Sequence, residues 1–305
     1  MNFDLGHTRN EKINLPKDSG IELYIKREDN LHPFVSGNKY RKLKYNLKEA
    51  KNKGFKILLT FGGAFSNHIA AVAYSGYVLG FETVGIIRGE ELEHQIENNP
   101  TLRFARNNGM KLRFVTREAY RNKTSEVFLN ALKNELGDFY LIPEGGTNAL
   151  AVKGCEEILS EDDSGFSHIC CAVGTGGTIS GLINCSKPRQ QVLGFPALKG
   201  AFLRTDISKF VHNTNWDLIS AYHFGGYAKV NTNLIAFINQ FKLKNNIQLD
   251  PVYTGKMLYG IFDLIKKGYF PKGSKILAIH TGGLQGIAGM NAKLKSKKMP
   301  LIKMP

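Results

Sequence analysis

The chain lacks what a membrane-spanning, disulfide-stapled or metal-built protein needs. Only four cysteines occur in 305 residues, Cys155, Cys170, Cys171 and Cys185, with no Cys-x-x-Cys spacing and no histidines at metal-ligand intervals. That pattern argues against a disulfide framework and a zinc site, and no metal is expected. Cys170 and Cys171 fall inside the apolar run from Ile169 to Val173, where a free thiol behaves as a small buried hydrophobe and fits a reducing compartment. No apolar stretch approaches the roughly 20 residues that cross a bilayer. The opening residues, Met1 to His7, lack a basic segment followed by an apolar one, so a cytoplasmic protein with no membrane partner is expected. Low-complexity linkers and internal repeats are also missing.

What is present is a basic, well-mixed composition. Lysine and arginine number 41 against 26 acids, a formal charge of +15. These charges are interleaved along the whole length, with no basic tail and no aromatic-basic stripe. They read as solubility and attraction of small anions, and no nucleic-acid partner is expected. The cluster Lys293, Lys295, Lys297, Lys298 and Lys303 is a solvated end. With 42% hydrophobic residues, the chain can fill one large or two modest cores.

Short apolar runs alternate with amphipathic segments. Leu43, Leu47 and Ala50 mark one face of a helix over 39–53 that stops at Gly54, and Ile57 to Phe61 reads as a buried strand. Ser66 or Asn67 caps a small-residue helix that ends near Gly80, and 83–87 makes the next strand. Strands over 111–115, 139–142, 169–173, 192–195 and 275–279, separated by helical segments, continue the rhythm. The pattern predicts an α/β chain with parallel sheets covered on both faces, ligands binding beyond the carboxyl ends of the strands. Gly62-Gly63, Gly145-Gly146, Gly174 to Gly177 and Gly282-Gly283 all fall at such ends, which points to one shared cleft. Breaks are expected near Leu43 and Ala149.

Two motifs carry chemistry. Lys39 sits in Ser36-Gly37-Asn38-Lys39-Tyr40-Arg41-Lys42, where Gly37 permits a turn and Arg41 and Lys42 would lower a neighbouring ammonium's pKa by like-charge repulsion. Gly174-Thr175-Gly176-Gly177-Thr178 lies between a strand and a helix. It is either a tight turn or a phosphate cradle of backbone amides at a helix N-terminus. A Walker loop would need Gly-Lys-Ser/Thr, and a dinucleotide fingerprint would need Gly at Ile179; neither is present. Gly62 to His68 has the same strand-to-helix placement and would suit a carboxylate, although Ser66 also satisfies an ordinary N-cap. His68 by itself reads first as a local hydrogen-bonding residue and only second as a catalyst.

Taken with Tyr24 to Asp29, Gly37 to Leu43, Pro143 to Asn148, Asp250 to Lys256 and His280 to Gly283, these motifs resemble the pyridoxal-phosphate enzymes of the tryptophan-synthase-β type. Within them the resemblance is to the branch holding 1-aminocyclopropane-1-carboxylate (ACC) deaminase and D-cysteine desulfhydrase. The resemblance implies two open parallel-sheet domains of three layers with pyridoxal 5'-phosphate between them: 1–43 with 149–305 as the larger, and 44–148 as the smaller. It implies that Lys39 bears the cofactor and then acts as general base. Lys42 and Gly174, Thr175, Gly176, Gly177 and Thr178 would hold the phosphate, and Asn67 the 3-oxygen. Ser66, Asn67 and His68 would receive the substrate carboxylate, with Thr147, Tyr227, Tyr253 and Thr254 around a small amino acid; Ser66 and Tyr253 join Lys39 as catalytic candidates. Relatives of this type are usually homodimers.

ACC deaminases resemble this sequence but carry Glu where Thr254 stands and Leu where Thr281 stands. A neutral hydroxyl at the pyridine nitrogen leaves a weaker electron sink than a glutamate, suited to α,β-elimination rather than opening of a ring that lacks a Cα proton. A D-cysteine desulfhydrase-like lyase is therefore expected, with Thr281 first and Thr254 second as the partner of that nitrogen, and ACC deaminase as the alternative. Ser36 and Tyr40 depart from the Gly and Thr common in relatives. A protein that only bound the cofactor, or accompanied nucleic acid, would not need Lys39, Ser66 and Tyr253 complete.

Overall fold

The computed structural model describes residues 3, 5–16, 19–200 and 202–304. Strands β1 (Asn10–Ile13) and β2 (Glu22–Lys26) lead into α1 (Asn38–Asn52). A first α/β run then follows: β3 (Ile57–Gly62), α2 (Asn67–Leu79), β4 (Glu82–Arg88), α3 (Pro100–Asn107), β5 (Met110–Val115), α4 (Arg117–Arg121), α5 (Glu126–Leu136) and β6 (Phe139–Ile142). The second run comprises α6 (Ala149–Glu156), β7 (His168–Val173), α7 (Gly177–Cys185), β8 (Gln191–Pro196), α8 (Phe202–Ser208), β9 (Trp216–Leu218), α9 (Thr232–Asn245), α10 (Thr254–Lys266), β10 (Lys275–Ile279) and α11 (Gly286–Ser296).

The four strands β3 to β6 form one parallel sheet in the order β5-β4-β3-β6, and the remaining six form another, β1-β2-β10-β7-β8-β9. The larger sheet is parallel except at its edge, where β1 runs antiparallel to β2. The alternation pattern did not reveal that edge, because Asn10-Glu11-Lys12-Ile13 offers a single buried apolar side chain. An antiparallel edge strand on an otherwise parallel sheet is common.

Both sheets are buried on both faces, and the period of two along each strand shows how. In β7, Cys170 and Ala172 pack with α9, α10 and α11, while Ile169, Cys171 and Val173 pack with α6, α7 and α8. In β3, Leu58 faces the core shared with α1, α2 and α3, and Leu59 and Phe61 face α4 and α5. This is the helix–sheet–helix layering expected of crossover-connected parallel strands. The apolar face of α1, Tyr40, Leu43, Leu47 and Ala50, belongs to the smaller sheet's core. Its first turn reaches the larger sheet through Asn38, whose Nδ2 donates to Thr178 Oγ1 at 2.8 Å. All four glycine-rich turns do lie just beyond the carboxyl ends of strands: after β3, β6, β7 and β10.

Candidate active site

Two helix N-termini converge at these strand ends. Gly37 caps α1 with φ +56°, and a Cβ there would run into the Thr281 carbonyl, so the turn before Lys39 needs glycine on both counts. Gly176, with φ +88°, caps α7. The positive ends of both helix dipoles therefore face one cleft of about 620 Å³, open at its mouth. Lys39, Lys42, Asn67, Gly174, Thr175, Gly176, Thr178, Tyr253 and Thr281 line it, and no lining residue among those described is acidic. Its walls beside the glycine turn are apolar, from Ala172, Val173 and Ile179.

Lys39 Nζ donates to the Gly145 carbonyl at 3.4 Å, and Lys42 Nζ donates to the same oxygen at 2.9 Å. Loss of solvent and then the charge of Lys42 lower the Lys39 pKa to about 7. Arg41, expected to add to that repulsion, points away: its guanidinium donates twice to the buried Glu28, at 2.9 and 3.0 Å. Burial also lowers the pKa of Lys42. Its ammonium reaches Thr147 Oγ1 at 3.1 Å and Thr175 Oγ1 at 3.4 Å, and the two threonine hydroxyls meet at 2.6 Å. Thr147 thus supports the cation from behind. Gly177 backs the same group, a Cβ there falling 2.8 Å from Thr147 Oγ1 and 3.2 Å from Lys42 Cε.

Of the expected substrate contacts, Asn67 and Tyr253 line the cleft, and Ser66, His68, Thr147, Tyr227 and Thr254 do not. His68 is buried, and its Nε2 meets Thr60 Oγ1 at 2.9 Å. Since that hydroxyl donates to the Ile142 carbonyl at 2.8 Å, it must accept from the imidazole, whose N–H is then used up. Burial, Lys39 and Lys42 hold the ring neutral, so it offers a carboxylate no donor. Thr254 is fully buried and exchanges hydrogen bonds with Asp250: Oγ1 donates to Oδ1 at 2.7 Å and accepts from the Asp250 N–H at 3.0 Å. It secures the start of α10 and does not reach the cleft. Tyr227 stands outside the wall, its ring edge-on to Tyr253 at 6.3 Å. Ser66 caps α2, accepting from the Ile69 N–H at 3.3 Å. By contrast, Thr281 lines the cleft and its hydroxyl has no hydrogen-bond partner among the described residues.

The motif reading passed over Ser36, Asn38 and Gln285 as lining residues. It also missed Asp250, whose carboxylate accepts from the amides of Val252, Tyr253 and Thr254 and so sets where Tyr253 stands. Gln285, one residue before α11, had a legible signal: the Gly282-Gly283 turn repeats the strand–glycine–helix order of the others. Burial, then Tyr227 and Asp250, push the Tyr253 phenol well above its ordinary pKa.

The donor set fits pyridoxal phosphate. Asn67 Oδ1 is buried without a partner, Lys39 is an amine with a neutral fraction near pH 7, and a glycine cradle with a helix N-terminus and a lysine awaits an anion. No group of His, Cys, Asp or Glu among the described residues could hold a metal, and no described helix is long and apolar enough to cross a membrane.

Comparison with known proteins agrees. Residues 5–282 match the family model described as pyridoxal-phosphate dependent enzyme. A putative ACC deaminase of Pyrococcus horikoshii is 31% identical over 93% of this chain and 91% of its own. The mitochondrial bifunctional D-cysteine desulfhydrase/ACC deaminase of Arabidopsis thaliana is 33% identical over 93% and 79%. A solved ACC deaminase homologue superposes with a TM-score of 0.80 at 29% identity, covering 95% of this chain and 94% of that one. A family model matched over most of the chain and relatives above 30% identity along nearly its whole length show that the chain belongs to the pyridoxal-phosphate-dependent enzymes.

Proposed function

We propose that this enzyme catalyses α,β-elimination on a small D-amino acid with a leaving group on Cβ, D-cysteine first, so that D-cysteine and water yield pyruvate, ammonia and hydrogen sulfide. The observation that carries the reading is Thr281: a free, neutral hydroxyl in a cleft whose lining holds no carboxylate. A neutral partner for the pyridine nitrogen suits elimination from a substrate that has a Cα proton to lose.

Bound pyridoxal phosphate supplies the sink for the negative charge left at Cα. Lys39 holds the cofactor, then takes the Cα proton at Nζ, a task matched by a pKa of about 7. Lys42 and the amides of Gly174 to Thr178 hold the phosphate, Thr147 steadying Lys42. Asn67 would hold the 3-oxygen and, with the Ser66 turn at the N-terminus of α2, would receive the substrate carboxylate. Tyr253 stays a phenol across neutral pH and can give its proton to the departing sulfur, with Tyr227 behind it.

Pyruvate formation from D-cysteine, L-cysteine and ACC tests this. D-Cysteine should be turned over much faster than ACC. Faster turnover of ACC would overturn the reading in favour of ACC deaminase, the second reading, which the name of the Pyrococcus relative favours, while that of the Arabidopsis relative carries both activities.

The division into 1–43 with 149–305 and 44–148 belongs to the same proposal. Strand membership of the two sheets supports it, with α1 as the element shared between them. We also infer a cytoplasmic homodimer. Four unpaired thiols fit a reducing compartment, and exposed Phe34, Phe65, Tyr77 and Val78 leave apolar surface for a second copy to cover. A monomer mass by light scattering would rule the dimer out.

A further inference from the structure

Lys256 has no task in the site as described. It lies in the first turn of α10 and is 2% exposed, with no carboxylate paired to it among the described residues. Burying an ammonium is costly unless its donors are used. Here Nζ donates to the carbonyls of His223 and Gly226, at 2.9 and 2.8 Å. The loop between and beyond them is held in left-handed backbone at Phe224 (φ 54°), Gly225 (91°), Gly226 (114°) and Ala228 (53°). Two of those four residues carry a Cβ, for which this conformation is disfavoured. The loop's own hydrogen bonds are few: Gly225 N–H to His223 Nδ1 at 2.9 Å, Gly226 N–H to His223 O at 3.0 Å and Lys229 N–H to Gly226 O at 3.2 Å. Charge-assisted bonds from Lys256 are the strong ones holding it.

The loop carries Tyr227, whose ring meets that of Tyr253. Tyr253 caps the helix that holds Lys256, three residues earlier in the chain. One helical turn therefore grips both members of the tyrosine pair, one directly and the other through the loop. We propose that Lys256 is a positioning residue that seats the 223–228 loop so that Tyr227 closes against Tyr253 from behind, setting how firmly Tyr253 is held against the substrate. The proposal rests on the reading of Tyr253 as a substrate contact. Loss of solvent lowers the Lys256 pKa to about 8, against the opposing pull of the Asp250 charge.

The test compares holoenzyme of wild type, Lys256→Met and Lys256→Gln, each with and without Tyr227→Ala, by hydrogen exchange and by steady-state kinetics on D-cysteine. Lys256→Met should speed exchange across 223–229 while leaving Gly174 to Thr178 and the cofactor's absorbance unchanged. KM should rise about tenfold with kcat moving less, the mark of misplaced binding groups. Lys256→Gln, which keeps a donor, should recover part of the loss. Adding Lys256→Met to Tyr227→Ala should cost nothing more. Unchanged exchange in the loop, or the same fold-loss with and without the Tyr227 ring, overturns the proposal. Should Lys256→Met fail to fold, the glutamine variant carries the same comparison. A wild type that turns over neither D-cysteine nor ACC overturns the proposed function instead, and loop exchange then decides the role of Lys256 alone.

Discussion

An amine that must be uncharged near neutral pH has few ways to become so, and Lys39 combines two of them: loss of solvent, and the neighbouring Lys42 ammonium. Its folded pKa of about 7 lies below the ordinary 10.5. Between those values the unfolded chain holds a proton that the native state lacks, so raising the pH through this window relieves the cost of burial. Cofactor-free Lys39→Met should therefore be more stable than cofactor-free wild type near pH 6, with the gap closing by pH 10.5; denaturant titration at the two ends measures it. Borohydride reduction of the holoenzyme followed by peptide mapping should place the pyridoxyl group on Lys39, and finding it on Lys42 would refute the assignment. The two threonines separate just as cleanly. Thr254→Val strips a donor from the buried Asp250 carboxylate and should cost about 1–3 kcal/mol of stability. Thr281→Val replaces a hydroxyl without a protein partner by a methyl and should leave stability nearly unchanged while altering the cofactor's absorption and slowing elimination. Equal effects of the two on melting temperature would refute that contrast.

Among the secondary-structure elements, the site is a meeting of helix starts. α1 brings Lys39 and Lys42, one turn apart; α7 brings the phosphate cradle; α10 brings Tyr253. Gly177 is the first residue of α7, so alanine there is compatible with the helix and even favoured by propensity. Its Cβ would nonetheless press on Thr147 and Lys42. Gly177→Ala should keep the fold and weaken pyridoxal-phosphate binding by tenfold or more, about 1.4 kcal/mol, read by fluorescence titration of the cofactor-free protein. Undiminished affinity would remove that turn from the phosphate site. These helix starts were legible as glycine and Asn or Ser punctuation between apolar runs. The antiparallel edge β1 and short β9 were not, because three or four residues with little apolar alternation carry no period to read.

For the whole molecule, the cofactor lies where two sheets and α1 meet, so it should stabilise them together. A ligand that binds only the native state adds about 2.7 kcal/mol at 100 times its Kd. Melting temperature should thus climb with added pyridoxal phosphate, and a flat response would show that the cleft does not hold it. The layered α/β fold and the placement of every glycine turn at a strand's carboxyl end follow from sequence, because periodicity and punctuation are local properties written into neighbouring residues, whereas the grouping of Lys39 with the 174–178 turn came from the family resemblance. What the tertiary structure decided was which polar groups remain free. Arg41 was claimed by Glu28, His68 by Thr60 and Thr254 by Asp250, whereas Thr281 and Asn67 Oδ1 were left facing the cleft. These partners stand only 4 to 13 positions away, yet which donor meets which acceptor depends on where the backbone sets them, and a buried donor or acceptor must be paired by whatever the fold brings beside it. Thr254 was claimed inside its own turn, by Asp250 four residues earlier, whereas whether the Thr281 hydroxyl stayed free depended on what the fold brought to the cleft around it.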